Sequence, residues 1–166
     1  ERLAREAGLE HDLLTAISAV NNRRRQQFLA KILDYYGSKI SSKRLALWGV
    51  SFKARTDDIR DAPSLDIIEG LCAAGAEVVV YDPVAGQKVS ARYGNRIQMA
   101  PKYYSALENA DGLVILTEWN EFRRPDYARM ASLLREPVIF DGRNLYTPVV
   151  MQEHGFKYFS IGRKSV

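Results

Sequence analysis

The densest concentration of chemistry-bearing side chains is Ser51-Phe52-Lys53-Ala54-Arg55-Thr56-Asp57-Asp58-Ile59-Arg60-Asp61-Ala62-Pro63-Ser64-Leu65, which follows directly on the apolar run Leu45-Ala46-Leu47-Trp48-Gly49-Val50. Three cations alternate there with three carboxylates, so the stretch can neutralise itself through ion pairs or present a long cationic side chain to an anion. Arg55 reads as internally paired. Lys53, beside the end of the apolar run, and Arg60, beside the Pro63 helix entry, occupy the two places where an anion would lie. A further cation, Arg143, leaves the apolar run Val138-Ile139-Phe140-Asp141. If both runs are parallel strands, Lys53 and Arg143 share one sheet edge and could clamp a diphosphate. Pairing of Arg143 with Asp141 is the alternative.

Positioning these side chains requires a sheet. From residue 38 onward, short apolar runs alternate with segments of helical spacing, the pattern of a parallel sheet with crossover helices. Strands are expected near 44–50, 76–81, 96–99, 112–117, 137–140 and 156–160. Helices are expected near 63–74, 84–93, 102–109, 125–134 and 147–154, with Pro63, Pro101, Pro125 and Pro148 at their starts and Gly75, Gly94 and Gly155 at their ends. The fold class is therefore α/β, a Rossmann-like parallel sheet flanked by helices. Ahead of it, Leu13, Leu14, Ile17, Val20, Phe28, Leu29, Ile32, Leu33 and Tyr36 recur at helical spacing, and Gly37 follows as a stop, which predicts one long helix from 11 to 36. Its middle, Asn21-Asn22-Arg23-Arg24-Arg25-Gln26-Gln27, is polar on every side and reads either as solvated or as a contact with another domain or subunit.

The dinucleotide fingerprint G-x-G-x-x-G is absent after the first strand, where only Gly49 stands. Phe52 and Lys53 fill the turn instead, so phosphate would be held through a side chain rather than by close backbone approach. Asp82 occupies the position at which a Rossmann acid meets a ribose. Without the glycines it reads, with Pro83, as a turn or helix cap. Trp119 reads as packing on the end of the sheet rather than stacking on a base. Cys72 lies in an apolar helical stretch and reads as a small buried hydrophobe. His11 and His154 stand far apart with no serine or cysteine motif beside them and read as surface or helix-end residues.

The totals set broad bounds. With 166 residues, 46% of them hydrophobic and 27% charged, the chain can build one core of ordinary size. The excess of 24 lysines and arginines over 20 acids suits an anionic small ligand and does not require nucleic acid. A single cysteine and no Cys/His cluster favour a reducing, cytoplasmic location and leave no metal site. No apolar run has the length of a membrane span. The beginning at Glu1, inside a helical pattern, is expected of a piece of something longer.

Five stretches carry a resemblance. Gly49-Val50-Ser51-Phe52-Lys53, Thr56-Asp57-Asp58-Ile59-Arg60, Tyr81-Asp82-Pro83, Thr117-Glu118-Trp119 and Asp141-Gly142-Arg143 occur in this order. In that order they resemble the C-terminal, UDP-binding domain of the UDP-glucose/GDP-mannose dehydrogenases. The resemblance implies that residues 1–37 end a central, dimer-forming helical domain and that residues 38–166 form the nucleotide-sugar-binding domain. It further implies oxidation of the C6 hydroxyl of a UDP-sugar, UDP-glucose above all, in two hydride transfers to NAD through a cysteine-bound intermediate. Phe52, Lys53 and Arg143 would then contact the UDP-sugar, and Arg60 would reach toward NAD held by an N-terminal domain. The full-length enzyme would be a homodimer or higher homo-oligomer. The family's catalytic cysteine motif has no match here, so no residue is assigned a catalytic role, and the chain alone is expected to be inactive. GDP-mannose and UDP-N-acetyl-hexosamine dehydrogenases, or a free-standing nucleotide-binding module, are the alternatives.

Overall fold

The computed structural model describes residues 11–166. Six strands form one parallel sheet: β1 (Arg44–Trp48), β2 (Glu77–Tyr81), β3 (Gln98–Met99), β4 (Gly112–Ile115), β5 (Val138–Asp141) and β6 (Lys157–Ser160), in the order β3-β2-β1-β4-β5-β6. The order reverses between β1 and β4, so the loops after those strands diverge and leave a crevice at their carboxyl ends.

Both faces of the sheet are covered, which is why the central strands read as unbroken apolar runs. Leu45, Leu47, Val78, Val80, Val114 and Phe140 turn to one face, where they meet Phe28, Ile32, Tyr36, Ile67, Ile68 and Leu71. Ala46, Trp48, Val79, Leu113, Ile115 and Ile139 turn to the other, against Leu107, Phe122, Met130, Met151 and Tyr158. The two sets interleave residue by residue along each strand, as strand geometry demands.

The first face is covered by α1 (Asp12–Tyr36), α2 (Pro63–Ala73) and α3 (Gly86–Tyr93); the second by α4 (Tyr103–Leu107), α5 (Tyr127–Leu133) and α6 (Pro148–Glu153). Pro63 and Pro148 open their helices, whereas Pro101 and Pro125 stand two residues ahead of theirs. Only the second half of α1 packs on the sheet. Phe28, Ile32 and Tyr36 are buried, while Leu13, Leu14, Ile17 and Val20 stay exposed along the half that leaves the domain. The Tyr36 hydroxyl anchors the packed half by donating to the Asp111 carbonyl at 2.8 Å. At the open edge of β6, the Tyr158 and Val166 backbones exchange N–H···O bonds of 2.7 and 3.1 Å, so the chain's last residue covers that edge.

Candidate nucleotide-sugar site

Three loops converge at the reversal point. The first leaves β1 through Gly49, whose φ of +78° and contact with Thr117 leave no room for a side chain: a Cβ there would lie 2.6 Å from the Thr117 Cβ. The chain then presents Phe52, 47% exposed, and Lys53, also exposed and without an ion pair among the described residues. The second loop follows β4 with Leu116, Thr117, Glu118 and Trp119, and the third follows β5 with Gly142 and Arg143.

Between them lies a cleft of about 270 Å³. Its walls are Phe52, Leu116, Gly142 and Arg143 from the sheet edge, Pro63 and Ile67 from α2, Ile161 from the segment after β6, and Asn21, Arg24, Arg25 and Phe28 from α1. An apolar floor with cations at the rim suits a ligand that has a flat or hydrophobic body and an anionic group. A larger, shallower depression at the ends of β2 and β3 is lined by Tyr81, Asp82, Pro83, Val84 and their neighbours; it has no cationic side chain and so nothing to hold a phosphate.

Arg143 keeps donors to spare. Its Nε donates to Glu118, and neither Nη has an acceptor among the described residues. Burial works against the Glu118 charge, but the bond from Arg143 and its positive charge prevail and keep that carboxyl below the ordinary glutamate range. The expected alternative, a pair with Asp141, does not form. Asp141 is fully buried and engages its oxygens with the Arg143 N–H at 2.9 Å, the Tyr146 N–H at 3.2 Å and the Tyr158 hydroxyl at 2.7 Å. The carboxylate thus fixes the backbone of the loop and leaves the guanidinium to Glu118. Asn144, at φ +55°, ties the same loop to the Ile161 backbone through two bonds of 3.0 Å.

Arg60 lies outside this cleft and is exposed, bound through its guanidinium to Asp58 at 2.7 Å. Arg55, expected to be ion-paired within the loop, has no such pair among the described residues, and Asp57 reaches out to Lys88 at 2.8 Å. Asp82 does cap the turn after β2, but it also reaches the first loop. It accepts five N–H bonds, from Val50, Ser51 and the Trp119 indole on one oxygen and from Val84 and Ala85 on the other. With every lone pair engaged and no glycine cradle beside it, this edge does not fit the pyrophosphate and ribose of a dinucleotide. Trp119 packs on the sheet end as expected. Cys72 corrects the reading of a fully buried hydrophobe: it is half-buried, its Sγ lies 3.5 Å from the Arg96 carbonyl, and burial pushes its thiol pKa up, away from nucleophilic use.

The α1 side of the cleft was not legible as a site. Arg25 bonds Asp66 at 2.9 Å and the Asp61 carbonyl at 2.8 Å, which brings the polar middle of the helix against α2, while the Arg24 guanidinium donates to the Gln27 amide oxygen and, among the described residues, to no other side chain. The one signal in the sequence was the cationic triplet Arg23-Arg24-Arg25, separated by two glutamines from a core aromatic, Phe28.

Comparison with known proteins agrees with this geometry. The UDP-glucose/GDP-mannose dehydrogenase family, UDP binding domain, matches residues 46–148. A UDP-glucose 6-dehydrogenase of Pseudomonas aeruginosa is 40% identical over 98% of the chain, which spans 37% of that relative's length. Among solved structures, a UDP-glucose dehydrogenase of Pyrobaculum islandicum matches 87% of the chain and 32% of its own with TM-score 0.74 and 26% identity. A UDP-D-ManNAc dehydrogenase of Pyrococcus horikoshii matches 96% of the chain and 36% of its own with the same score and identity. With the family pattern spanning most of the sheet and its loops, the chain belongs to the UDP-glucose/GDP-mannose dehydrogenase family and carries its UDP-binding domain.

Proposed function

We propose that the chain is the UDP-sugar-binding portion of a cytoplasmic, NAD-dependent UDP-glucose 6-dehydrogenase. Residues 1–37 would end its central domain and residues 38–166 would form the nucleotide-sugar domain. Phe52 packs against the ligand, and Lys53 and Arg143 grip its diphosphate from neighbouring loops. Arg60 extends toward NAD, which is bound elsewhere in the full-length homo-oligomer. With no match in the sequence to the family's catalytic cysteine motif, the chain binds without turning over substrate.

The observation that carries this reading is the meeting of Phe52 and Arg143, 91 positions apart in sequence, in one cleft at the strand-order reversal; Lys53, next to Phe52 in the chain, is exposed and without an ion pair among the described residues, and is not itself a wall of the cleft. Calorimetry with UDP against GDP tests it. UDP should bind and GDP should bind more weakly. Arg143→Ala and Lys53→Ala should each weaken UDP by about 10- to 100-fold, the worth of one charged hydrogen bond, with the fold intact. Unchanged affinity in both variants would refute the clamp. The equal structural match to a UDP-D-ManNAc dehydrogenase favours a UDP-N-acetyl-hexosamine as the second substrate reading.

A further inference from the structure

The loop that presents Phe52 and Lys53 is held at its base by side chains rather than by strand pairing. The Val50 N–H donates to Asp82 at 2.7 Å and the Ser51 N–H to the same oxygen at 3.1 Å. The Val50 carbonyl accepts from the Ser64 hydroxyl at 2.5 Å, and the Ser51 carbonyl from the Thr117 hydroxyl at 2.6 Å. The Phe52 N–H donates to the Asp58 carbonyl at 2.8 Å and closes the excursion. Three segments thus contribute one side chain each: Asp82 follows β2, Ser64 is the second residue of α2, and Thr117 lies in the loop after β4. Asp82, Ser64 and Thr117 are all buried, at 8%, 1% and 0% exposure. Beyond this base the loop is exposed at Phe52, Lys53 and Arg55.

We propose that Asp82 is a positioning residue for ligand binding: its carboxylate, with Thr117 beside it, fixes the base of the loop so that Lys53 is presented to the phosphates of a nucleoside diphosphate. This rests on the reading of the cleft as a UDP-sugar site. A carboxylate is the one side chain of this size that can accept five N–H bonds at once, since it has two oxygens and no donor. Asp82→Asn replaces one oxygen by an NH2 group, which faces two or three N–H donors whichever way the amide turns. The loop base then loses its common anchor, and binding must also bear the cost of ordering Lys53 on the ligand.

The test is a double-mutant cycle on the full chain with UDP as probe, run where every variant is folded by circular dichroism. Asp82→Asn should weaken UDP about 10-fold and Thr117→Val about 3-fold, and both losses should shrink to within about 2-fold in a Lys53→Ala background, since the residues act through Lys53. Losses that persist undiminished in that background, or no loss at all, would overturn the proposal, because a merely structural Asp82 lowers stability without coupling to Lys53. Amide hydrogen exchange supplies a second reading that needs no ligand. If wild type fails to bind UDP, the substrate reading fails, and exchange alone decides whether Asp82 anchors the loop base. Faster exchange at Val50, Ser51 and Phe52 than in the neighbouring strands of Asp82→Asn upholds that anchoring, whose link to the ligand the cycle decides; unchanged exchange there overturns the proposal. Should Asp82→Asn not fold, Thr117→Val is subjected to the same two measurements, and the same results uphold or overturn the proposal.

Discussion

Gly49→Ala isolates the cost of the turn on which the site depends. Two terms oppose the methyl group. A non-glycine residue at φ +78° costs about 1–2 kcal/mol. The new Cβ would also meet the Thr117 Cβ at 2.6 Å and the Thr117 backbone N and O at 3.0 Å. Neither side can give way freely: Gly49 N–H is bonded to the Tyr81 carbonyl at 2.8 Å and Leu116 N–H to the Trp48 carbonyl at 3.0 Å, so the clash adds about 1–3 kcal/mol of overpacking. The total, about 2–5 kcal/mol, corresponds to a fall in Tm of roughly 4–20 °C for a domain of this size. Gly155→Ala is the matched control. Its φ of +76° is nearly the same, but nothing lies within 4 Å of the added Cβ, so it should cost only the conformational term. The entropy that glycine loses on folding is common to both variants and cancels. Urea unfolding followed by circular dichroism should give Gly49→Ala about 1–3 kcal/mol more destabilisation than Gly155→Ala. Equal losses in the two variants would refute the steric argument.

The packed core supports further expectations. Tyr36, Tyr146 and Tyr158 are almost fully buried, and burial above all raises each phenol above its ordinary value of 10. Their contribution to stability is complete below pH 10 and is lost as pH rises toward the folded values, at about 1.4 kcal/mol per pH unit for each tyrosine; tyrosinate absorbance and circular dichroism should therefore change together in one steep alkaline transition. Lys43 bonds Glu136 at 2.8 Å and Asp111 at 3.1 Å, and Asp111 is buried. Lys43→Met should destabilise by about 2–3 kcal/mol in urea, less than a fully orphaned buried charge because Asp111 keeps the Arg44 N–H at 2.9 Å. Phe28→Ala should cost about 3–5 kcal/mol by the same measurement and also weaken UDP, since this ring is both core and cleft wall.

Much of the fold was written locally. The six strands lie near the expected positions because a strand buried on both faces must be apolar throughout, and its ends are marked by charge, proline or glycine. The emergence of Lys53 and Arg143 from the same edge followed from the parallel pattern alone. Less legible was the role of individual polar residues. Asp82 looked like a turn cap because its two nearest N–H donors, those of Val84 and Ala85, are sequence neighbours; its other three come from Val50, Ser51 and Trp119, more than thirty positions away.

The sequence by itself determined the alternation of strands and helices, the single glycine at the first turn, the lack of a dinucleotide cradle and the family to which the loops belong, because each is encoded in residue type at short spacing. Tertiary structure decided which partners the polar groups chose. Glu118 rather than Asp141 took the Arg143 guanidinium, since the loop backbone had already claimed the nearer carboxylate. Arg24, Arg25 and Phe28 became cleft walls because the packed half of α1 lies across the reversal point of the sheet. Hydrophobic periodicity specifies which face of an element is buried, whereas ion pairs and hydrogen bonds are short-ranged and directional, so their partners are fixed only once twist and packing have brought distant segments within about 3 Å.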